Sequence, residues 1–311
     1  MKQFALVLFL LVFFQKNYSF PIPGKTLKAL IEETPYIIEG EVFKIDSIRT
    51  KSDGLLSIAK IKIIKVLKGQ VEKDTISIYF QANMICPAPD YYEMNEKVLC
   101  FINNSFYKKL DWYYVPALSY GKKTIANNYT EEIYANRINE YLDILNLENQ
   151  NEKNIVTTEW LVKCAEIDMT RKDAVSDLLK KFDYEKNIET IYYAGFLTTN
   201  QKERLYNCFV NLRGNLNSVD FSLLNFVKGI DDKNILRILK INARNSYEDL
   251  CTICNLSIWY IGMYLNEDFT AISNDYLKNL GSMQFNSNEN KIHMQSVYDK
   301  FLNDIDKKII D

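Results

Sequence analysis

YIIEGEVFKID at Tyr36–Asp46, SIAKIKIIKVLKG at Ser57–Gly69, TISIYF at Thr75–Phe80 and EKVLCFI at Glu96–Ile102 are four strand-like runs that follow one another closely. Ala59 and Ile61 alternate with Lys60 and Lys62, so one face is apolar and the other charged, a period of two that suits a strand. At Ile63 and Ile64 the phase slips by one, and Ile64 and Val66 become the apolar positions around Lys65. Without an extra residue the slip would turn the rest of the strand to the wrong face, so a β-bulge is expected there. Bulges bend strands, and bent strands close barrels. Lys68 and Gly69 end the run as a turn, and Thr75–Phe80 resumes strict alternation, with Ile76, Ile78 and Phe80 on one side.

The order IIEGEV, AKIKIIKVLKG, TISIYF, a lone cysteine in ICPAPDYY, then NEKVLCFI resembles the netrin-module and tissue-inhibitor-of-metalloproteinases family in its bacterial form. The resemblance covers residues 26–125, and VLKG followed by a strand and a cysteine carries most of it. It implies an OB-type β-barrel of five strands. Inhibitors of that family use a cysteine at the mature N-terminus to chelate a protease zinc, whereas the first cysteine here is Cys86. The family's usual partner for the loop cysteine is also absent.

Upstream, Lys2 is followed by an apolar run from Phe4 to Phe14 and then by Gln15, Lys16 and Asn17. That run is shorter than the roughly 20 residues a membrane-spanning helix needs, so residues 1–19 read as a secretory signal, with cleavage near Ser19. An uncleaved tether is the alternative. The expected location is secreted or periplasmic, with no stable membrane insertion after cleavage. Without Lys2 and Lys16, 36 of the 38 basic side chains remain against 40 acidic ones, a net charge of about −4. Such a chain carries no electrostatic footprint for nucleic acid. The frequent Asn, Lys, Ile and Tyr resemble secreted flavobacterial proteins.

Leu27, Leu30 and Ile31 predict a short helix that Pro35 stops. Trp112–Leu118, an aromatic run containing Pro116, suits an edge strand because proline donates nothing to a ladder, and Gly121 ends it. Thr130 is the expected cap of a connecting helix over 126–145, with Glu131 and Glu132 in its first turn and Tyr134, Ile138, Tyr141, Leu142 and Leu145 as its apolar stripe. Residues 146–154, NLENQNEKN, read as a linker. From there to residue 311 the period changes to 3.6. Leu205, Cys208, Phe209 and Leu212 form a stripe behind a capping box at Asn200 and Glu203. Ser246 and Asp249 open an apolar helix through Leu265, and Ser287 opens the last one, with Met294, Tyr298, Phe301, Ile305 and Ile309 inward. The fold class is therefore α+β, an OB-like barrel followed by an all-α domain. With no fixed repeat that domain reads as a compact helical array, with a HEAT-like stack as the alternative. The stretch TEWLVKCAEIDMTRKDAVSDLL at Thr158–Leu179 resembles a helical element of secreted flavobacterial proteins.

The chemistry is bounded by exclusion. His293 is the single imidazole, and no H-E-x-x-H, Walker A, G-x-G-x-x-G or G-x-S-x-G motif occurs. No catalytic residue, cofactor or metal is assigned. Cys251 and Cys254 form C-x-x-C inside an apolar helix, where buried thiols are the simpler reading, as for Cys164 and Cys208. Cys86 and Cys100 flank a loop and are the candidate disulfide. Tyr91, Tyr92, Trp112, Tyr113 and Tyr114 concentrate aromatics in the second half of the barrel, where they form the candidate ligand or partner surface; Tyr107 adds to the group. The alternative is that these residues simply favour strands. The expected function is a secreted, non-enzymatic binding or scaffold protein for a protein or glycan partner. The alternatives are a metalloprotease inhibitor and a carboxylate-dependent hydrolase, the latter requiring two acids that face each other in a cleft.

Overall fold

The structure is a computed structural model that describes residues 24–50, 54–81, 91–105, 111–183, 188–212, 216–245, 252–269, 292, 296 and 299–307. It is α+β, with a six-stranded sheet preceding a run of helices, and it divides into two compact units, Met1–Asn139 and Glu140–Asp311.

In the first unit, helix α1 (Leu27–Glu33) starts at Thr26, whose Oγ1 accepts from Ala29 N at 3.2 Å. It buries Leu27, Leu30 and Ile31, as their spacing requires, and ends before Pro35. Strands β1 (Tyr36–Thr50) and β2 (Gly54–Lys68) pair antiparallel. Glu39 faces Lys65 and Gly40 faces Ile63, so Ile64 is the extra residue of a bulge where the phase slip predicted one. Its side chain goes outward at 50% exposure, while Ile63 and Val66 pack toward the core. The core face beyond the bulge is thus Ile63 and Val66, in place of the expected Ile64 and Val66. At Gly40 the neighbouring strand leaves no room for a side chain. A Cβ there would meet Ile61 Cγ2 at 2.4 Å and the Lys62 carbonyl at 2.6 Å.

Strand β3 (Thr75–Phe80) pairs with β2, and β4 (Lys97–Asn104) pairs with β1. β5 (Tyr113–Tyr114) lies between β3, to which it is parallel, and β4, to which it is antiparallel. It is therefore an interior strand and not the edge strand expected, and Pro116 falls beyond it in a turn. A sixth strand, β6 (Lys122–Thr124), pairs with Val98–Cys100 of β4. Partner leads to partner from β1 through β2, β3, β5 and β4 and back to β1. Inside this circuit Ile38, Val42, Ala59, Ile61, Ile76, Ile78, Phe80, Tyr92, Val98, Cys100, Ile102 and Val115 form one apolar cluster.

Helix α2 (Asn128–Leu145) is capped by Asn127, whose Oδ1 accepts from Thr130 N at 2.9 Å; Thr130 is inside the first turn and not the cap. The next helix, α3 (Gln150–Ala165), begins within the stretch read as a linker, because Asn149 accepts from Asn151 N and Glu152 N and starts a turn there. After α4 (Asp168–Leu179) come a two-residue hairpin, Phe182–Asp183 with Ile188–Glu189, and a 3₁₀ turn at Tyr193–Phe196.

Helix α5 (Thr199–Leu212) has its capping box at Thr198 and Gln201, two residues before the expected pair. A 3₁₀ turn (Asp220–Leu223), α6 (Leu224–Val227), α7 (Asp232–Asn245), α8 (Thr252–Leu265) and a helical stretch over 299–307 follow. Leu205 and Phe209 of α5, Leu239 of α7, Ile261 of α8 and Ile305 are at most 1% exposed, and Trp160 packs on Tyr141 with ring centroids 4.5 Å apart. Not every side of α8 is buried, since Trp259 is 54% exposed. Ser246, Asp249, Ser287, Met294, Tyr298 and Ile309 lie outside the described residues, as does the signal segment.

Candidate binding surface

The five aromatic residues singled out from sequence do not form one surface. Tyr92 is 5% exposed and belongs to the core, with its ring 5.0 Å from that of Phe80 and the Lys122 ammonium over its own ring, 4.7 Å from the centroid. Tyr113 is turned toward the same core and meets the Tyr36 ring edge-on at 5.9 Å. Burial, with Tyr36 adding, pushes its hydroxyl above the ordinary tyrosine range. Tyr91 is 53% exposed, and its carbonyl accepts from Lys122, which also reaches Glu96 at 2.7 Å.

Trp112 and Tyr114 do come together, around Tyr79, which is not among the five. Tyr79 of β3 has its centroid 6.3 Å from Trp112 and 6.1 Å from Tyr114, at tilts of 44° and 38°. All three are half-buried. The alternation of β3 places them: Ile76, Ile78 and Phe80 point to the core, so Tyr79 points away from it. The same rule turns Tyr113 inward and Tyr114 outward. That alternation was the available signal for Tyr79. Asn103 Nδ2 donates to the Tyr114 hydroxyl at 3.4 Å, and Ser105 N donates to the Trp112 carbonyl at 2.9 Å. Lys73 and Asp111 form an ion pair beside Trp112. The result is a tilted aromatic face edged by an amide and hydroxyls, suited to stacking on a ring and hydrogen bonding at its rim.

Cys100 is buried in the core cluster, while Cys86 and its pairing lie outside the described residues. So do Cys251, His293 and Tyr107. Cys164 is 1% exposed; Cys208 is half-buried, and burial pushes its thiol up against the opposing pull of Arg171. Cys254 is fully buried and donates to the Ala243 carbonyl at 3.6 Å.

Acids converge at one concavity of the second unit, of about 330 Å³, lined by Glu140, Asp143, Glu152 and Glu159 over Trp160. Glu140 pairs with Lys163 at 3.5 Å. Burial raises Glu159, but hydrogen bonds from Gln201 and Arg204 outweigh it and hold the carboxyl below its ordinary range. A general acid needs the opposite shift. Among the described residues no group of three or more His, Cys, Asp or Glu could hold a metal ion, and no helix is long and apolar enough to cross a membrane. No protein-family model matches the chain, and no curated protein matches its sequence.

Proposed function

We propose that the first unit is an OB-like barrel of netrin-module type that serves as the binding module of a secreted, non-enzymatic protein, with the Tyr79–Trp112–Tyr114 face recognising a protein or glycan partner. The barrel reading is supported by the closed circuit of pairings and by the parallel contact of β3 with β5 at Ile78 and Tyr113. The functional reading rests on one observation: three rings gathered on the outward face of β3 and β5, half-open to solvent, while their chain neighbours Ile78 and Tyr113 pack inward. Aromatic anchors of this kind dominate recognition energies.

The test is capture from culture supernatant and on a glycan array. Trp112→Ala and Tyr114→Ala should each weaken capture by about tenfold, on the scale of a single hot-spot ring, with the thermal transition nearly unmoved. If capture and the transition fall together, the rings are packing residues and the binding reading is wrong. Turnover of a peptide, ester or glycoside that is lost on mutating one acidic pair would overturn the non-enzymatic reading.

A further inference from the structure

Glu39 is a carboxyl in an apolar place. It sits on β1 between Ile38 and Gly40, on the face opposite the core cluster, where Ile37 of β1 and Leu99 and Phe101 of β4 are at most 2% exposed. Its own exposure is 2%, and its Oε1 accepts no hydrogen bond among the described residues. Charged groups reach it from three elements: Glu131 in the first turn of α2, Lys97 on β4, and Lys65 opposite it on β2. Lys97 Nζ stands 3.9 Å from Glu39 Oε1 and is nearer to Glu131, at 3.3 Å.

A carboxylate out of water without a hydrogen bond is costly, and a second carboxylate beside it makes ionising both costlier still. A single proton relieves both costs. The protonated acid donates to its neighbour's oxygen, an O–H···O⁻ bond stronger than a neutral one. Burial first, then the Glu131 charge, raises Glu39 above the ordinary carboxyl range, and Lys97 pulls it back by less.

We propose that Glu39 and Glu131 share one proton and form an acid latch that holds the first turn of α2 on β1 and slackens as the pH rises. The latch sits at the root of the helix along which the chain passes from the first unit to the second, since the division at Asn139 falls inside α2. The contribution of the Glu39 proton is complete below the ordinary carboxyl pKa, where Glu39 holds a proton in the folded and the unfolded chain alike. It is lost as the pH climbs through the raised folded value.

The test is a carbon-detected NMR titration of the full chain, read with hydrogen exchange of the α2 amides corrected for intrinsic pH dependence. Glu39 should titrate above the ordinary range, and opening of the first turn of α2 should rise about tenfold for each pH unit by which the pair holds its proton late. Glu39→Gln should make that opening independent of pH. Glu131→Gln, at a more exposed position, should move the Glu39 midpoint back toward the ordinary range and decides the matter if Glu39→Gln fails to fold. An ordinary midpoint for Glu39 in the native protein, or an unchanged midpoint in Glu131→Gln, overturns the latch.

Discussion

Arg171 donates from Nη1 to Asp220 Oδ1 at 2.5 Å, with only 4% and 1% of the two side chains exposed. The ion pair ties α4 to the 3₁₀ turn at Asp220–Leu223, and each partner is held from behind. Arg171 Nε donates to the Ala165 carbonyl at 2.9 Å, and Asp220 Oδ2 accepts from Asn217 N at 2.8 Å. A buried charge left alone costs more than the pair contributes. Arg171→Met should therefore destabilise the second unit by about 3–5 kcal/mol, and Arg171→Met with Asp220→Leu should recover most of that loss. Urea unfolding followed by tryptophan fluorescence reads both, since Trp160 and Trp259 lie in that unit. A double variant no more stable than the single one would show that geometry, and not stranded charge, sets the cost.

Gly40 is required by proximity. Adding a methyl group at this position puts it against Ile61 and the Lys62 carbonyl, and the second of these is backbone that cannot rotate away. Gly40→Ala should cost about 1–3 kcal/mol, in the range of an overpacked core, seen as a lower thermal midpoint for the first unit. Gly69 adds a second constraint, because its φ of +79° is left-handed and a Cβ would lie 2.5 Å from the Pro35 carbonyl. An unchanged midpoint in Gly40→Ala would mean that β1 and β2 can separate there at no cost.

The parts legible in the sequence were those with a period long enough to count. The slip at Ile63–Ile64 announced the bulge because every residue around it keeps alternating, and Leu27, Leu30 and Ile31 announced α1 in the same way. Two-residue β5 and three-residue β6 have no period to read, so the place of Tyr113–Tyr114 between β3 and β4 came only from the pairing. Caps failed for a different reason. Thr198 with Gln201 and Asn200 with Glu203 carry the same spacing, and nothing local chooses between them. The first turn of α3 looked like a linker because its residues face water, which leaves Asn149, Gln150 and Asn151 as polar as any loop. Contacts between distant positions, such as Arg171 with Asp220 or Glu39 with Glu131, leave no trace in spacing at all.

Lys68, the lysine of the Lys-Gly turn, has a task that its place in a turn does not suggest. Its Nζ donates to the Ile31 carbonyl at 2.5 Å and the Thr34 carbonyl at 2.7 Å, closing the C-terminal end of α1. Burial lowers its pKa against the weaker opposing pull of Glu32. Lys68→Met keeps the stem and removes the donors, leaving two carbonyls unanswered at about 1–3 kcal/mol. Hydrogen exchange should show α1 loosening while β3 and β4 stay protected. Equal loosening throughout the unit would mean that α1 is not a separate opening element.

Cys86 and Cys100 are expected to form a disulfide if the chain is exported as proposed, while the other cysteines stay reduced. Cys100 belongs to the same apolar cluster as Phe80 and Tyr92, whose rings are 5.0 Å apart. Those two residues bracket the stretch that contains Cys86, so both ends of that stretch start from the cluster that holds its partner. A bridge of this kind closes a loop of about 15 residues and contributes about 3 kcal/mol by limiting the unfolded chain. Its formation requires Cα atoms within about 7 Å of each other. Peptide mapping of secreted, non-reduced protein should recover the two cysteines in one linked pair, and reduction should lower the thermal midpoint of the first unit. Recovery of both as free thiols would refute the bridge.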